Sequence, residues 1–318
     1  MTMFINFLYA AITSGTPLMF GTLGEIITEK AGNLNLGVEG MMAIGAIAGF
    51  YVGYTTNSVV LAVIASFVAG IFAALIYAFL TVTLKANQNV TGLTLTIFGV
   101  GLANFLGDYI RTAAGETTLQ LSTEFTEKLA TYKIPLLGDI PYIGHLFFDH
   151  NPFVYFGIVL CVIAGIYVKY TRAGLNMRAV GENPAAADAA GININFVKYF
   201  NILLGGGICG IGGAYISLVL CGGVWTQSCV DGLGWIAVAL VIFANWNPFA
   251  CILGSFVFGA FRVLKFYVPK EIINIPDAIF DMLPFLITAI VLVITSIRKS
   301  KERSQPAGCG VNYFREER

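Results

Sequence analysis

The chain has 318 residues, 57% of them hydrophobic and 11% charged, against roughly 25% charged in soluble domains. With a mean hydropathy of +0.79, this apolar excess excludes an ordinary water-soluble fold and points to an integral membrane protein. Eighteen Lys and Arg balance eighteen Asp and Glu, and a net charge of zero supplies no field to attract a nucleic acid.

The first charged residue is Glu25, so no basic region precedes the opening apolar run, which is also longer than a signal-peptide core. It reads as a retained membrane span over 4–27. Further apolar stretches follow at 37–54, 59–84, 90–111, 153–169, 198–221, 232–246, 248–267 and 283–298, and about 20 helical residues suffice to cross a hydrocarbon core. The seventh and eighth are short and divided only by Asn245-Trp246-Asn247-Pro248, where proline removes a backbone donor. They predict a tight hairpin or one kinked element. Backbone groups in lipid must be satisfied within their own segment, and nothing shows the ten-residue alternation of a barrel. The expected fold is therefore an all-α integral membrane bundle of about 8–10 transmembrane helices, with a broken or re-entrant segment and a short cytoplasmic helix.

Lys and Arg near span ends set the orientation. Lys30, Lys85, Lys169, Arg172, Arg178, Lys198, Arg298, Lys299, Lys301 and Arg303 fall on the cytoplasmic side, with the N-terminus outside. The polytopic domain then covers 1–298. Its outer loop, about 112–152, carries Glu116, Glu124, Glu127, Asp139 and Asp149 together with Pro135, Pro141 and Pro152. Residues 299–318 read as a solvated cytoplasmic tail without its own core.

Two polar segments stand out. Gly32-Asn33-Leu34-Asn35-Leu36-Gly37-Val38-Glu39-Gly40 brings amides and a carboxylate to the membrane boundary or deeper, where polar groups are expensive. Its glycines permit an unwound backbone able to bind a solute; the plainer alternative is a cytoplasmic loop and a helix start with Glu39 in the first turn. The cytoplasmic loop at about 170–197 predicts a two-turn helix. Asn183 is a good N-cap, Pro184 suits the first helical position, alanines propagate it and Gly191 ends it. So short a helix is marginal alone, and its smooth alanine face suits docking better than an ordinary loop would.

The segments GNLNLGVEG, TRAGLNMRAVGENPAAADAAGI and GWIAVALVIFANWNPFACILGSFVFG, with Ala86–Gly92 at the start of the fourth span, resemble the transmembrane permease subunits of bacterial ABC importers. The branch is that of nucleosides and simple sugars (ribose-type, related to branched-chain amino acid permeases), and the resemblance covers about 260 residues. The Asn-Leu-Gly-x-Glu-Gly form and the Trp-Asn-Pro turn look more like the nucleoside permeases. The resemblance implies a multi-pass protein of the bacterial cell membrane, surrounded by lipid. It dimerises with itself or a second permease subunit, engages cytoplasmic ATP-binding subunits and receives solute from an extracytoplasmic solute-binding protein. It further implies that Asn183–Gly191 is the coupling helix, with Pro184, Ala186 and Asp188 on it and Arg172, Arg178 and Glu182 as charged contacts. Asn33, Asn35, Glu39, Asn89 and Thr91 would lie near the translocation path.

Other features have structural readings. The glycines at 205–207, 210, 212 and 213 lack the Lys-Ser/Thr of a phosphate loop and predict close helix packing. Asp231 is expected to cap the seventh span, with a solute contact as the alternative. Asp108 and Arg111 can pair at i,i+3, while Arg262 and Lys265 can snorkel or dock a partner. Six cysteines show no metal spacing, and a disulfide between Cys221 and Cys229 stays open. Only His145 and His150 are present, so no histidine triad or zinc helix can be built. No catalytic residue, metal ligand or cofactor site is expected. Intramembrane carboxylates are few, which disfavours a stand-alone proton-coupled carrier, and without a Walker motif ATP hydrolysis must lie on another chain. Carrier and scaffold remain the alternatives to an importer of a neutral polar solute, a nucleoside before a simple sugar.

Overall fold

The computed structural model describes residues 2–133, 140, 143–268, 276–298 and 305–315. Pro135, Asp139, Pro141, Lys299, Lys301 and Arg303 lie outside the described residues. In chain order the helices are α1 Thr2–Lys30, α2 Val38–Thr56, α3 Val59–Ala78 with a π-helical turn at Phe79–Thr83, and α4 Gln88–Ala114. The outer segment holds α5 Thr123–Lys128, α6 Ile143–Phe147 and a two-residue antiparallel pair, β1 Tyr132–Lys133 with β2 Asp149–His150. Then come α7 Pro152–Tyr170, α8 Arg172–Glu182, α9 Pro184–Ala189, α10 Ile194–Tyr215 with a second π turn at Ile216–Leu220, α11 Leu233–Phe243, α12 Pro248–Tyr267 and α13 Asp277–Arg298.

Every predicted apolar stretch is helical, and among the described residues seven helices are long and apolar enough to cross a membrane. α2, at 19 residues, adds about 28 Å of helix. The seventh stretch does not span: α11 has 11 residues, about 16 Å, roughly half a hydrocarbon core. Asn245 and Trp246 take left-handed backbone conformations at φ +51° and +52°, and α12 starts afresh at Pro248, so a sharp turn, not a kink, separates the two. Asn and Ser side chains fix many starts: Ser58, Asn87, Asn151, Asn193 and Asn247 each accept a hydrogen bond from a first-turn backbone N–H.

The long helices pack about a centre built from α1, α2, α3, α10 and α12. One end of the bundle gathers Lys30, Lys85, Lys169 and the α8–α9 connection; the opposite end carries the outer segment. Tyr9 near the start of α1 stacks on His145 and His150, and Asn57 after α2 accepts a hydrogen bond from Ser122 at 2.6 Å. Leu119, Leu121, Phe125 and Leu129 of the outer segment are buried, so its 119–129 part is packed on the bundle.

The glycine cluster of α10 packs helix on helix, as expected. Gly205 lies against the Gly24 carbonyl, Gly210 against the Ser66 carbonyl and Gly213 against the Met42 carbonyl, and an added Cβ would overlap each oxygen. Without side chains between them the backbones approach closely, gaining dispersion contact where lipid supplies no hydrophobic force. Most of α10 is buried, whereas α13 lies almost entirely on the outside of the bundle. Asp108 and Arg111 form the predicted ion pair at 3.0 Å. Lys265 pairs with Asp281 at 2.8 Å rather than standing free, and Cys221 and Cys229 are both free thiols.

Candidate functional site

Between α1 and α2 the chain reverses at the basic end and climbs back inside before α2 begins. Gly32, at φ +87°, turns tightly against Gly181 of α8. The ascending strand is held by named bonds: Gln88 Oε1 accepts from Leu34 N at 2.8 Å, Tyr77 donates to the Leu34 carbonyl at 2.6 Å, and Glu25 accepts from Asn35 N at 2.9 Å. Asn35 Oδ1 then accepts from Gly37 N at 2.9 Å. The break is thus an ordered, inward-stepping turn that pairs Leu34, Asn35 and Gly37 and leaves the buried Asn33 side-chain amide unpartnered.

Glu39 stands in the first turn of α2, where its charge complements the helix dipole. It also reaches across to α11, accepting from Gly232 N at 2.8 Å and Gly234 N at 2.6 Å. The N-cap position of α11 is Gly232, which has no side chain to cap with. Asp231, expected to cap this helix, has φ +46° and belongs to the preceding turn, not to the extended backbone of a capping residue. Glu39 takes that role from 193 residues away.

A cavity of about 210 Å3 opens beside this carboxylate, walled by Glu39 and Ala43 of α2, Val100, Ala103 and Asn104 of α4, and Trp225 with Ser228–Gly232. The segment 221–232 tucks Gly223, Trp225 and Val230 into the bundle while Thr226, Gln227, Ser228 and Asp231 stay exposed. Asn104 secures it with both amide atoms, accepting from Ser228 N at 2.8 Å and donating to Ser228 Oγ at 3.0 Å. Gln227 donates to Asp108 at 2.7 Å, and the backbone N–H of Trp225 donates to the Leu119 carbonyl at 3.0 Å. Ser228 and Asp231 both have positive φ, local strain that clusters at binding sites. The Trp225 indole N–H is buried with no protein acceptor. The cavity combines an aromatic face with an amide, a hydroxyl and carboxylates, a set able to stack and hydrogen-bond a polar solute.

Of the five residues predicted near the path, Glu39 is on the cavity wall. Asn33 and Asn35 are buried in the inward-stepping turn, with both amide atoms of Asn33 unpartnered. Thr91 is buried one turn into α4, bonded to the Asn87 carbonyl, and Asn89 is exposed at the basic end. Asn104, Trp225 and Ser228 escaped sequence reasoning. Asn104 alone left a signal, an amide deep in an apolar run. Intramembrane carboxylates are also less scarce than expected, because α1 runs to Lys30 and carries Glu25 and Glu29 into the core. Trp246 of the α11–α12 turn donates its indole N–H to Glu29.

At the basic end the predicted short helix is present as α9. Asn183 caps it by accepting from Ala186 N at 3.0 Å, Pro184 opens it, and Gly191 follows its end at φ +81°. The connection holds a second helix beyond the one expected, α8, capped by Thr171 Oγ accepting from Gly174 N at 3.0 Å. Arg172 and Ala186 are exposed, Ala187 is buried, and Arg178 and Glu182 border a groove of about 780 Å3 with Lys30 and the α11–α12 turn.

The described part of the tail docks on the bundle while much of it stays exposed. Residues 305–315 lie along this end of the bundle: Gly308 N donates to the Gly181 carbonyl at 2.9 Å, and Ala307 N to Glu182 at 3.2 Å. Asp188 accepts from Tyr313 at 2.9 Å and pairs with Arg315 at 3.2 Å. Backbone hydrogen bonds, the Tyr313 phenol and the Arg315–Asp188 ion pair hold the segment down.

A family model described as branched-chain amino acid transport system / permease component matches residues 7–292. TsgC13 of Haloferax volcanii, a proposed glucose ABC transporter permease protein, is 34% identical over 81% of this chain and 76% of its own. The nucleoside ABC transporter permease protein NupC of Lactococcus lactis subsp. cremoris is 32% identical over 94% of both chains. The guanosine ABC transporter permease protein NupQ of Bacillus subtilis is 29% identical over 89% of both. No solved structure matches the chain significantly.

Proposed function

The chain belongs to the branched-chain amino acid transport system permease family, and from that premise we propose that this ABC permease forms the membrane path for nucleoside uptake. The observation that carries the solute class is the end-to-end similarity to NupC, covering 94% of each chain. The cavity chemistry agrees with it: a Trp225 face suits a base, and Asn104, Ser228 and Glu39 suit ring nitrogens and ribose hydroxyls. A simple sugar is the second reading, supported by the 34% identity to TsgC13.

The basic end faces the cytoplasm in this reading, in line with the distribution of Lys and Arg. Two ATP-binding subunits meet α9 there, with Arg172, Arg178 and Glu182 around the contact. A second permease subunit completes the path, and a solute-binding protein docks on the outer segment. ATP-driven closure of the partner subunits then shifts α9 and, through the bundle, the cavity.

In proteoliposomes holding the full complex, guanosine uptake is expected to require ATP and the binding protein and to resist excess glucose. Preferential glucose uptake would assign the sugar reading, and uptake without ATP-binding subunits would remove the importer reading. Ala186→Glu supplies a local test. Ala186 is the third residue of α9, where glutamate favours the helix start, so the helix persists while a charge enters its exposed face. Co-purification of the ATP-binding subunits is expected to weaken roughly tenfold or more; unchanged association would free that face from the contact.

A further inference from the structure

We propose that Asn312 and Tyr313 are positioning residues of a tie, residues 305–315, that links the coupling segment to the two helices walling the cavity; this rests on reading the chain as an ATP-driven permease. α9 packs chiefly on α8 and α10, and α10 packs on α2, so α2 already has a packed route and α4 calls for another. The tail provides it. Tyr313 places its ring against the apolar cluster of Val180, Ala187 and Ile194, while its hydroxyl donates to Asp188 at 2.9 Å. One residue earlier, Asn312 faces the other way. Its Nδ2 donates to the Lys85 carbonyl at 2.6 Å and the Ala86 carbonyl at 3.2 Å, and its Oδ1 accepts from Gln88 at 3.2 Å.

Gln88 is the first residue of α4, and its own Oε1 holds Leu34 N at 2.8 Å in the strand that leads into α2. A displacement of Asp188 therefore reaches the starts of α2 and α4 through hydrogen bonds joined by the Asn312–Tyr313 backbone. These helices carry Glu39 and Asn104 into the cavity. Such a series transmits movement because each link has a defined geometry that is lost when its neighbour shifts. Gly308 and Ala307, bonded to the end of α8, anchor the near end of the same segment.

The test compares wild type with Asn312→Ala, which removes the α4 links, and Tyr313→Phe, which removes only the hydroxyl and keeps the packed ring. The full complex is reconstituted and both ATP hydrolysis and guanosine uptake are measured. The expected result is retained ATP-binding subunits, hydrolysis close to wild type and about three- to tenfold less guanosine moved per ATP. A merely structural role would lower both rates together and leave the ratio unchanged, which overturns the tie. So do loss of the ATP-binding subunits, which would make the tail a docking surface, and a raised ratio, which would make it a brake. If the wild-type complex itself shows no ATP-dependent guanosine uptake, the functional reading fails and the tie falls with it. An unchanged ratio beside an active wild type removes the tie alone.

Discussion

Gly213→Val is expected to yield little or no folded protein. The added Cβ would overlap the Met42 carbonyl oxygen of α2, with the Met42 carbonyl carbon and the Ala46 nitrogen also inside contact distance. Those atoms are backbone and cannot swing aside as a side-chain end can. Relief requires α10 and α2 to separate, yet α10 is simultaneously held against α1 through Gly205 and against α3 through Gly210. Overpacking of an ordinary core costs about 1–3 kcal/mol; a fixed backbone contact at the bundle centre should exceed that range. Gly101→Val in α4 is the control, because nothing lies within 4 Å of the added atom. Monodisperse elution of the detergent-extracted protein is the readout. A Gly213→Val chain eluting like wild type would mean that the central seam is looser than described.

The second large effect concerns function. Glu39→Ala deletes both acceptors at the start of α11, leaving Gly232 and Gly234 N–H groups without their carboxylate. Hydrogen bonds to a charged group contribute about 1.5–3 kcal/mol each, and α11, with 11 residues, has little helix of its own to compensate. The 221–232 segment and the cavity wall lose their register with α2. Guanosine uptake by the complex should fall at least about tenfold, while the assembled complex still elutes intact. Glu39→Gln retains one acceptor oxygen but points an NH2 group toward the other N–H, so it should fall between. Wild-type uptake by Glu39→Ala would detach the carboxylate from the path.

Much of this fold is legible in the residue order. Apolar runs, broken by Asn, Pro and Gly, locate the helices, and Asn183-Pro184 announces the start of α9 together with its cap. Depth is not legible in the same way. The run 232–246 has the hydropathy of a span, but the infolding of 221–232 lets α11 start well inside, and that infolding depends on Asn104 gripping Ser228 across 124 residues. The cap of α11 went to Asp231 by proximity, whereas the group that performs it comes from α2. The tail is hidden for a related reason: its anchors are backbone N–H groups, one amide, one phenol and one guanidinium, which carry no periodic pattern. The glycines of α10 were readable because close packing in lipid requires the absence of a side chain, and absence over several turns is conspicuous.

The pairing of Glu39 with α11 also has an electrical consequence. When ionised, this carboxylate lies within the first turn of α2 and against the first turn of α11, and each helix start presents about half a positive charge. Two such half charges offset the single negative one, so Glu39 adds little net charge to the cavity wall, which leaves Asp231 as its other carboxylate. Moving Glu39 together with these two helix starts then displaces almost no net charge, and a transmembrane potential does little work on that group, against about 2.3 kcal/mol per elementary charge per 100 mV. Uptake of an uncharged solute should therefore hold its rate when a potassium–valinomycin gradient sets the vesicle voltage to either sign; a rate that follows the voltage would show that uncompensated charge moves with the site.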